Sequence, residues 1–375
     1  MRNFKSGYFE QQNLYKSFQP NPICRQWNID DINIFNLASQ AAIEIGRLDM
    51  FSNYLPDIDY FIEMHIAREA NQSSKIEGTN THFEEVLMDK ESINPERRDD
   101  WQEVHNYINA LNHGIARLGT LPLSSRLICE IHEKLLNGVR GKYKNPGEFR
   151  RSQNWIGGAS ISDARFIPPV WDTVGTLMGD IEKFIHSESI ILPELIKIGI
   201  IHYQFETIHP FLDGNGRVGR LLIPLYLIDK QVLRKPVLYL SSFFEKNRTL
   251  YYDNLMLTRM KNDMSQWLKF FLTGVIETSK LGVKTFEDIM ALQKDISIAI
   301  GTLGKRAKYA NIIINGLYRN PNITPKKISE LCKVSLPYAY KITKDLESIN
   351  ILTRNGNTPT YSFERYISIF KGNIN

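Results

Sequence analysis

His209 to Arg220, HPFLDGNGRVGR, is the stretch on which the reading of this chain turns. Leu195 to Phe205 before it has helical apolar spacing, so a helix delivers His209 onto a tight turn. Gly214, Asn215 and Gly216 allow unusual backbone angles and close approach, and a new helix begins at about Gly216. Free N–H groups at a helix N-terminus form an anion site, favoured further by the helix dipole. Arg217 and Arg220 are three apart and overhang that turn from one face. Asp213, a hard oxygen ligand beside two guanidinium groups, suits Mg²⁺ held by one carboxylate and substrate phosphates. His209 is the proton acceptor of this cluster near neutral pH. Together these parts suit a site that binds a nucleoside polyphosphate and deprotonates a nucleophile beside it.

Two familiar nucleotide motifs are excluded. Gly214, Gly216 and Gly219 match G-x-G-x-x-G, but that fingerprint must follow a buried strand, and FETIHPFLD is not apolar and β-branched. Asp229 and Glu245 both miss the offset at which an acidic residue would meet a ribose. No G-x-x-x-x-G-K-[ST] occurs anywhere in the chain. Rossmann and P-loop readings therefore fail.

Around this stretch lie 375 residues, 42% hydrophobic, 11% aromatic and 23% charged, which suits two or three globular domains. Disordered, collagen-like and disulfide-stapled chains are excluded. The longest nearly apolar run, Leu221 to Ile228, is far short of a membrane span. The opening MRNFKSGYFEQQ has no signal-peptide core, and Cys24, Cys129 and Cys332 are too scattered for a disulfide framework or a Cys-based zinc site. A soluble, reduced, cytoplasmic protein is expected. The charge is uneven: residues 305–375 carry 12 Lys and Arg against 4 Asp and Glu, while the rest of the chain is slightly acidic. That points to a separate C-terminal module with an anionic partner or surface.

Residues up to about Pro22 read as a poorly patterned arm, and helical spacing dominates from Ile32 onward. Gln153 to Val170, QNWIGGASISDARFIPPV, breaks the pattern; its Gly pair, Ser-Asp turn and Pro-Pro predict a short hairpin or lid. Residues 273–304 read as a connecting helix or linker. Beyond them come a helix over Ala307–Leu317, a second opened by Thr324-Pro325, and a third capped by Ser335 that runs to about Ser348. Asn355-Gly356 then joins two short strands. Three helices and a hairpin resemble a winged helix-turn-helix.

Taken whole, residues 209–220 resemble the signature of the Fic family, HPFx[DE]GNGRxxR. His209, Pro210, Phe211, Asp213, Gly214, Asn215, Gly216, Arg217 and Arg220 fill its nine specified positions. Ser73 to Gly78, SSKIEG, is similar to the family's inhibitory motif [ST]xxxE[GN], and its place upstream fits the class with an N-terminal inhibitory helix. Residues 154–169 are similar to the family's flap. The resemblance implies a mainly α fold: a Fic-fold helical core with a short β-hairpin flap, plus the C-terminal winged helix-turn-helix domain. The expected division is 1–100 for the N-terminal helical region with the inhibitory helix, 101–280 for the catalytic core, 281–304 for the linker and 305–375 for the winged domain.

The activity the resemblance implies is transfer of AMP from ATP to a Ser, Thr or Tyr hydroxyl of a protein, with release of pyrophosphate. It makes His209 the base and Asp213 the holder of Mg²⁺. Gly214, Asn215, Gly216, Arg217, Val218, Gly219 and Arg220 become the phosphate-binding run, with Arg220 nearest the γ end. Phe211 would point into the core, and Tyr251 is a further candidate for contacting the nucleoside. An exposed strand near Ser160 to Phe166 would pair with an extended target segment. Ser73 and Glu77, four apart, share a helix face, and Gly78 is a natural stop. Docked beside the loop, Glu77 would form a bidentate pair with Arg220, remove the γ-phosphate's partner and hold the enzyme low.

The alternatives are AMP removal or another nucleotide donor at the same site. From a different class comes a DNA-binding regulator whose Fic core senses nucleotide. Tyr338, Lys341 and Lys344 would then face outward on the third helix of the C-terminal module, although Asp345 and Glu347 share that helix. Expected partners are ATP, a target protein, a second copy of the chain on family grounds, and nucleic acid through the C-terminal domain, with no membrane.

Overall fold

Apolar residues at helical spacing become helices through most of the chain; the computed structural model describes residues 4–54, 58–356 and 359–371 and is mainly α-helical. The first departure from the sequence reading is at the N-terminus. The arm expected to lack pattern holds a hairpin of β1 (Gly7–Gln11) and β2 (Lys16–Pro20), paired antiparallel with Gly7 opposite Pro20. It was hidden because β1 is mostly exposed, and because the connecting residues from Gln12 to Tyr15 include no Gly or Pro to announce a turn. Phe18 anchors it: its ring meets Phe9 and Phe166, and its N–H donates to the Ile167 carbonyl at 2.9 Å.

The helical body follows: α1 (Ile32–Tyr54), α2 (Ile58–Ile76), α3 (Phe83–Val86), α4 (Arg98–Leu118) and α5 (Ser125–Leu135). After the flap come α6 (Val174–His186), α7 (Glu194–Ile208), α8 (Asn215–Asp229), α9 (Ser241–Lys246), α10 (Arg248–Lys261) and α11 (Met264–Gly301). Helix α7 is the axis, with Leu195 to Ile208 buried throughout, polar residues included, as befits a helix surrounded on all sides. Its polar groups are largely satisfied from neighbours; Gln204, for example, donates to the Asn21 carbonyl at 3.0 Å. Helix α1 lies along α11, where a side chain at Gly282 would collide with Leu48 and where Phe51 stacks on Phe286. Residues 281–301 are the second half of α11.

The segment from Gln153 to Val170 forms one antiparallel bridge, Ile156 with Phe166, around a 3₁₀ turn at Ile161–Asp163 whose start is capped between Ser160 and Asp163. A longer ladder is blocked on both sides. Gly157 and Gly158 take positive φ, and Pro168-Pro169 have no N–H to donate.

The last part runs α12 (Ala307–Arg319), β3 (Asn322–Ile323), α13 (Pro325–Cys332), α14 (Leu336–Ser348), β4 (Thr353–Arg354), β5 (Tyr361–Ser362) and α15 (Glu364–Lys371). Thr324 caps α13 by accepting from the Lys327 N–H at 3.2 Å, with Pro325 in the first turn. Strand β5 lies between β3 and β4, antiparallel to both; the connection into it passes through residues 357–358, which lie outside the described residues. Helix α15, absent from the sequence reading, returns to the body: Tyr366 meets Phe61 of α2, and Phe370 meets His65 of α2 and Phe83 of α3. No described helix is long and apolar enough to cross a membrane.

Candidate active site

Helix α7 ends on His209, whose backbone is left-handed at φ 50°, and Gly214 at φ 76° opens α8. Between them the chain makes one turn, and several side chains fix its shape. Asn215 is a staple: its Oδ1 accepts from the Phe211 N–H and its Nδ2 donates to the Phe211 carbonyl, each at 2.8 Å. Its amide thus shapes the loop from within. Phe211 is fully buried and stacks on His132 with ring centroids 3.7 Å apart. The Gly147 N–H donates to His132 Nδ1 at 2.9 Å, so that imidazole is a neutral Nε2–H tautomer donating to the Asp213 carbonyl at 3.1 Å. Asn154 and Arg150 hold the loop from the flap side, both donating to the His209 carbonyl. Carbonyls and side chains pinned in this way leave the first N–H groups of α8, at Asn215, Gly216 and Arg217, with no helical carbonyl to bind. Val218 is already inside the helix, its N–H on the Gly214 carbonyl and its side chain in the core.

The two arginines are placed differently. Arg217 is buried and pairs with Glu103 of α4 at 3.0 Å and with Asp213 at 3.3 Å. Arg220, its side chain 1% exposed, is held by the end of α2: Nε donates to Ser73 Oγ at 2.8 Å, and Nη2 donates to the Ser73 carbonyl at 3.0 Å and to Glu77 Oε1 at 2.6 Å. The fork therefore closes on one carboxylate oxygen and two Ser73 groups, where a bidentate carboxylate was expected. Burial would raise the Glu77 carboxyl, but the Arg220 guanidinium outweighs it and holds the group below its ordinary value. Gly78, at φ 97°, ends the helix there. His209 lies between these charges. Burial, with Arg259 and Arg150 nearby, pushes its imidazole down to about 3, and its Nδ1 is buried. It is a neutral base at working pH.

The Fic/DOC N-terminal family model matches residues 35–116 and the Fic/DOC family model matches residues 122–227, which include the whole loop. This chain belongs to the Fic/DOC family. It is 33% identical over 147 residues to a protein named protein adenylyltransferase Fic in Aedes aegypti, a match covering 38% of this chain and 26% of that protein. The protein of the same name in Drosophila melanogaster is 29% identical over 187 residues, 49% of this chain and 33% of that protein. The matched segment thus spans a third or less of these curated relatives. In fold, the chain is similar to a Fic family protein from Desulfovibrio desulfuricans, with TM-score 0.59 and 19% identity over 90% of this chain and 98% of that one. A Fic domain containing signaling protein from Bacteroides thetaiotaomicron gives TM-score 0.53 and 20% identity over 68% of this chain and 97% of that one.

Around the Fic loop the structure adds residues that no motif marked. Glu103, His132, Arg150, Asn154 and Glu206 all touch the loop, its flanks or its helix; Arg150 and Asn154 share the approach to the flap, and the other three come from separate stretches of sequence. Tyr251 is buried: its hydroxyl donates to His202 Nε2 at 2.8 Å, its ring stacks on Phe244, and it lies within electrostatic reach of Glu206, Arg220 and Glu77. Its neighbour Tyr252, 37% exposed, lies within electrostatic reach of Glu77 and Arg220. The flap edge is also rearranged. Phe166 spends its N–H and carbonyl on Ile156, and the Ile167 carbonyl is taken by Phe18 of β2, so the Ser160–Phe166 side is closed by the chain's own arm. Trp155, on the opposite side of the bridge, is exposed.

As a cation site the loop offers one carboxylate. Asp213 Oδ1 accepts from Gly214 and Arg217, while Oδ2 has no hydrogen bond among the described residues; the side chain is 40% exposed. No cluster of three metal-ligating side chains exists among the described residues. That donor set fits a hard cation arriving with phosphate oxygens, not one held by protein alone.

Proposed function

We propose that this chain is a protein adenylyltransferase, moving AMP from ATP to a protein hydroxyl and releasing pyrophosphate. The observation that carries the reading is the His209–Arg220 turn: a neutral imidazole, three unspent helix N–H groups and a guanidinium that must surrender a carboxylate before it can bind an anion. The phosphates lie across the α8 N-terminus, with the γ end on Arg220 in place of Glu77. The target oxygen attacks the α-phosphorus in line, its proton passes to His209 Nε2 because Nδ1 is buried, and the bond to the leaving pyrophosphate breaks. Arg217, kept in place by Glu103, neutralises the charge that develops. Mg²⁺ bound with the nucleotide would be held by Asp213 and would offset phosphate charge. An extended target segment adds at the open Trp155 side of the flap.

In this reading Ser73 and Glu77 hold the resting enzyme off. Glu77→Gly raises AMP transfer, and Glu77→Gly with His209→Ala abolishes it. Intact-mass analysis after incubation with ATP and Mg²⁺ tests both. An AMP adduct on the chain or on a lysate protein is expected from the single variant only. No adduct with any nucleotide donor overturns the reading.

The C-terminal part supports a second, separable role as a winged helix contacting nucleic acid. Helix α14 exposes Tyr340, Lys341 and Lys344 and buries Ala339, Ile342 and Leu346, while Tyr338 leans edge-on against Tyr309. Lys326, Lys327 and Arg354 are exposed as well. A salt-dependent gel shift of the full chain on duplex DNA is expected; no shift at low salt assigns this surface to protein docking.

A further inference from the structure

Glu206 lies in the last turn of α7, three residues before His209, and takes no part in the transfer described above. It is buried, and its Oε1 has no hydrogen-bond partner. The carboxyl rests on bare backbone: a Cβ at Gly219 would collide with Oε1. One turn earlier on α7, His202 fixes the same glycine, Nδ1–H donating to the Gly219 carbonyl at 2.9 Å. The signature helix α8 therefore makes room for two carboxylates in its first turns, because a Cβ at Gly216 would likewise strike Glu77. The titratable and charged groups facing Glu206 are Arg220 on α8, Glu77 on α2, Arg259, Tyr251 and Tyr252 on α10, and His209 at the end of its own helix.

We propose that Glu206 is a positioning residue for Arg220 that takes up a proton when a triphosphate replaces Glu77. This rests on the transferase reading of the site. In the resting state two carboxyl groups lie within electrostatic reach of one buried guanidinium, which hydrogen-bonds to Glu77 and leaves Glu206 Oε1 without a partner. Burial raises the Glu206 carboxyl to about 7 against the pull of Arg220, with Glu77 adding to the rise and Arg259 opposing it. A γ-phosphate brings more negative charge to Arg220 than the departing carboxylate did, which favours neutral Glu206 further. The neutral carboxyl leaves the full guanidinium charge for phosphate, whereas an ionised one draws that charge back toward α7. The proton comes from solvent, and no covalent bond other than the carboxyl O–H is formed. Nucleotide binding above neutrality is thereby coupled to proton uptake and weakens as pH rises.

The test uses the full chain with Glu77→Gly and His209→Ala, which binds ATP without turning it over. Titration calorimetry with Mg·ATP at about pH 8, in two buffers of different ionisation enthalpy, is expected to show uptake approaching one proton per nucleotide. Kd should weaken up to about tenfold per pH unit above neutrality. Adding Glu206→Gln, nearly isosteric with the neutral acid, abolishes the uptake and flattens the pH dependence. Uptake that survives the Gln substitution, or none in the parent, overturns the proposal while leaving the transferase reading intact. Failure of ATP to bind the parent at any pH removes both. Thermal unfolding gives an independent reading. The carboxyl's folded value lies above its unfolded one, so its ionisation penalises the native state as pH rises from about 4.5 to about 7. Glu206→Gln should therefore raise Tm at about pH 8 and not at about pH 4.5, and an equal change at both counts against a buried titrating carboxyl.

Discussion

His209 shows how position overrides residue type. A histidine in water titrates near 6.5, and an acid limb of activity at that pH would be the default for a histidine base. Here burial, reinforced by Arg259 and Arg150, keeps the imidazole neutral down to about 3. In the Glu77→Gly variant, kcat/KM for ATP should then show no acid-side loss near pH 6.5 and should fall as Glu206 ionises, earlier than with Glu77 present, because Glu77 no longer raises that carboxyl. A pH–rate profile with an acid-side inflection near 6.5 would show an exposed base and contradict this site. The residue's place in the loop was legible because the loop is written in twelve consecutive letters. Glu103, His132 and Glu206 were not, because each acquires meaning only from a partner that folding brings to it: Arg217, the Asp213 carbonyl and Gly219. Tyr251 shows the same limit, since nothing local says that His202 claims its hydroxyl.

At the scale of elements, the first turns of α8 are a seat for two carboxylates. Gly216 takes ordinary helical angles, so Ala fits the backbone there, but its methyl occupies the space of the Glu77 carboxylate. Gly216→Ala should push Glu77 off Arg220 without raising AMP transfer, because the γ-phosphate would meet the same methyl beside Arg220. Loss of a charge-assisted hydrogen bond, about 1.5–3 kcal/mol, should lower transfer roughly tenfold or more in the Glu77→Gly background. Autoradiography with α-labelled ATP compares Glu77→Gly with and without Gly216→Ala, and equal labelling would refute the idea that carboxylate and γ-phosphate share this place. The motif at the end of α2 could be read because Ser73 to Gly78 is similar to the family's inhibitory motif, with helical spacing placing Ser73 and Glu77 on one face. The β1–β2 hairpin and α15 could not: the first lacks turn residues, and the second is an eight-residue amphipathic segment whose apolar face has meaning only against α2 and α11. The flap's closed edge was equally invisible, because Phe18 reaches it from far away in sequence.

Across the whole molecule, α2 is gripped at both ends. Its C-terminus holds Arg220 through Ser73 and Glu77, while Phe61 and His65 in its first half are clamped by Tyr318 of α12 and by Tyr366 and Phe370 of α15. The ion pairs across this seam, Arg319 with Glu63 and Lys371 with Glu84, are largely exposed and contribute roughly 0–1 kcal/mol each. The aromatic contacts therefore decide the docking, and truncating a buried Phe costs about 3–5 kcal/mol. Phe370→Ala should loosen α15 from His65 and Phe83 and let α2 leave Arg220 more often, provided the two ends of a rigid helix move together. The expected result is higher AMP transfer from the full chain together with faster amide exchange over Phe61–Ile76. No further gain should appear when Glu77→Gly has already opened the lock, and that non-additivity is what a shared mechanism requires. Faster exchange without higher transfer would mean that the C-terminal part stabilises α2 but does not set its grip on the site.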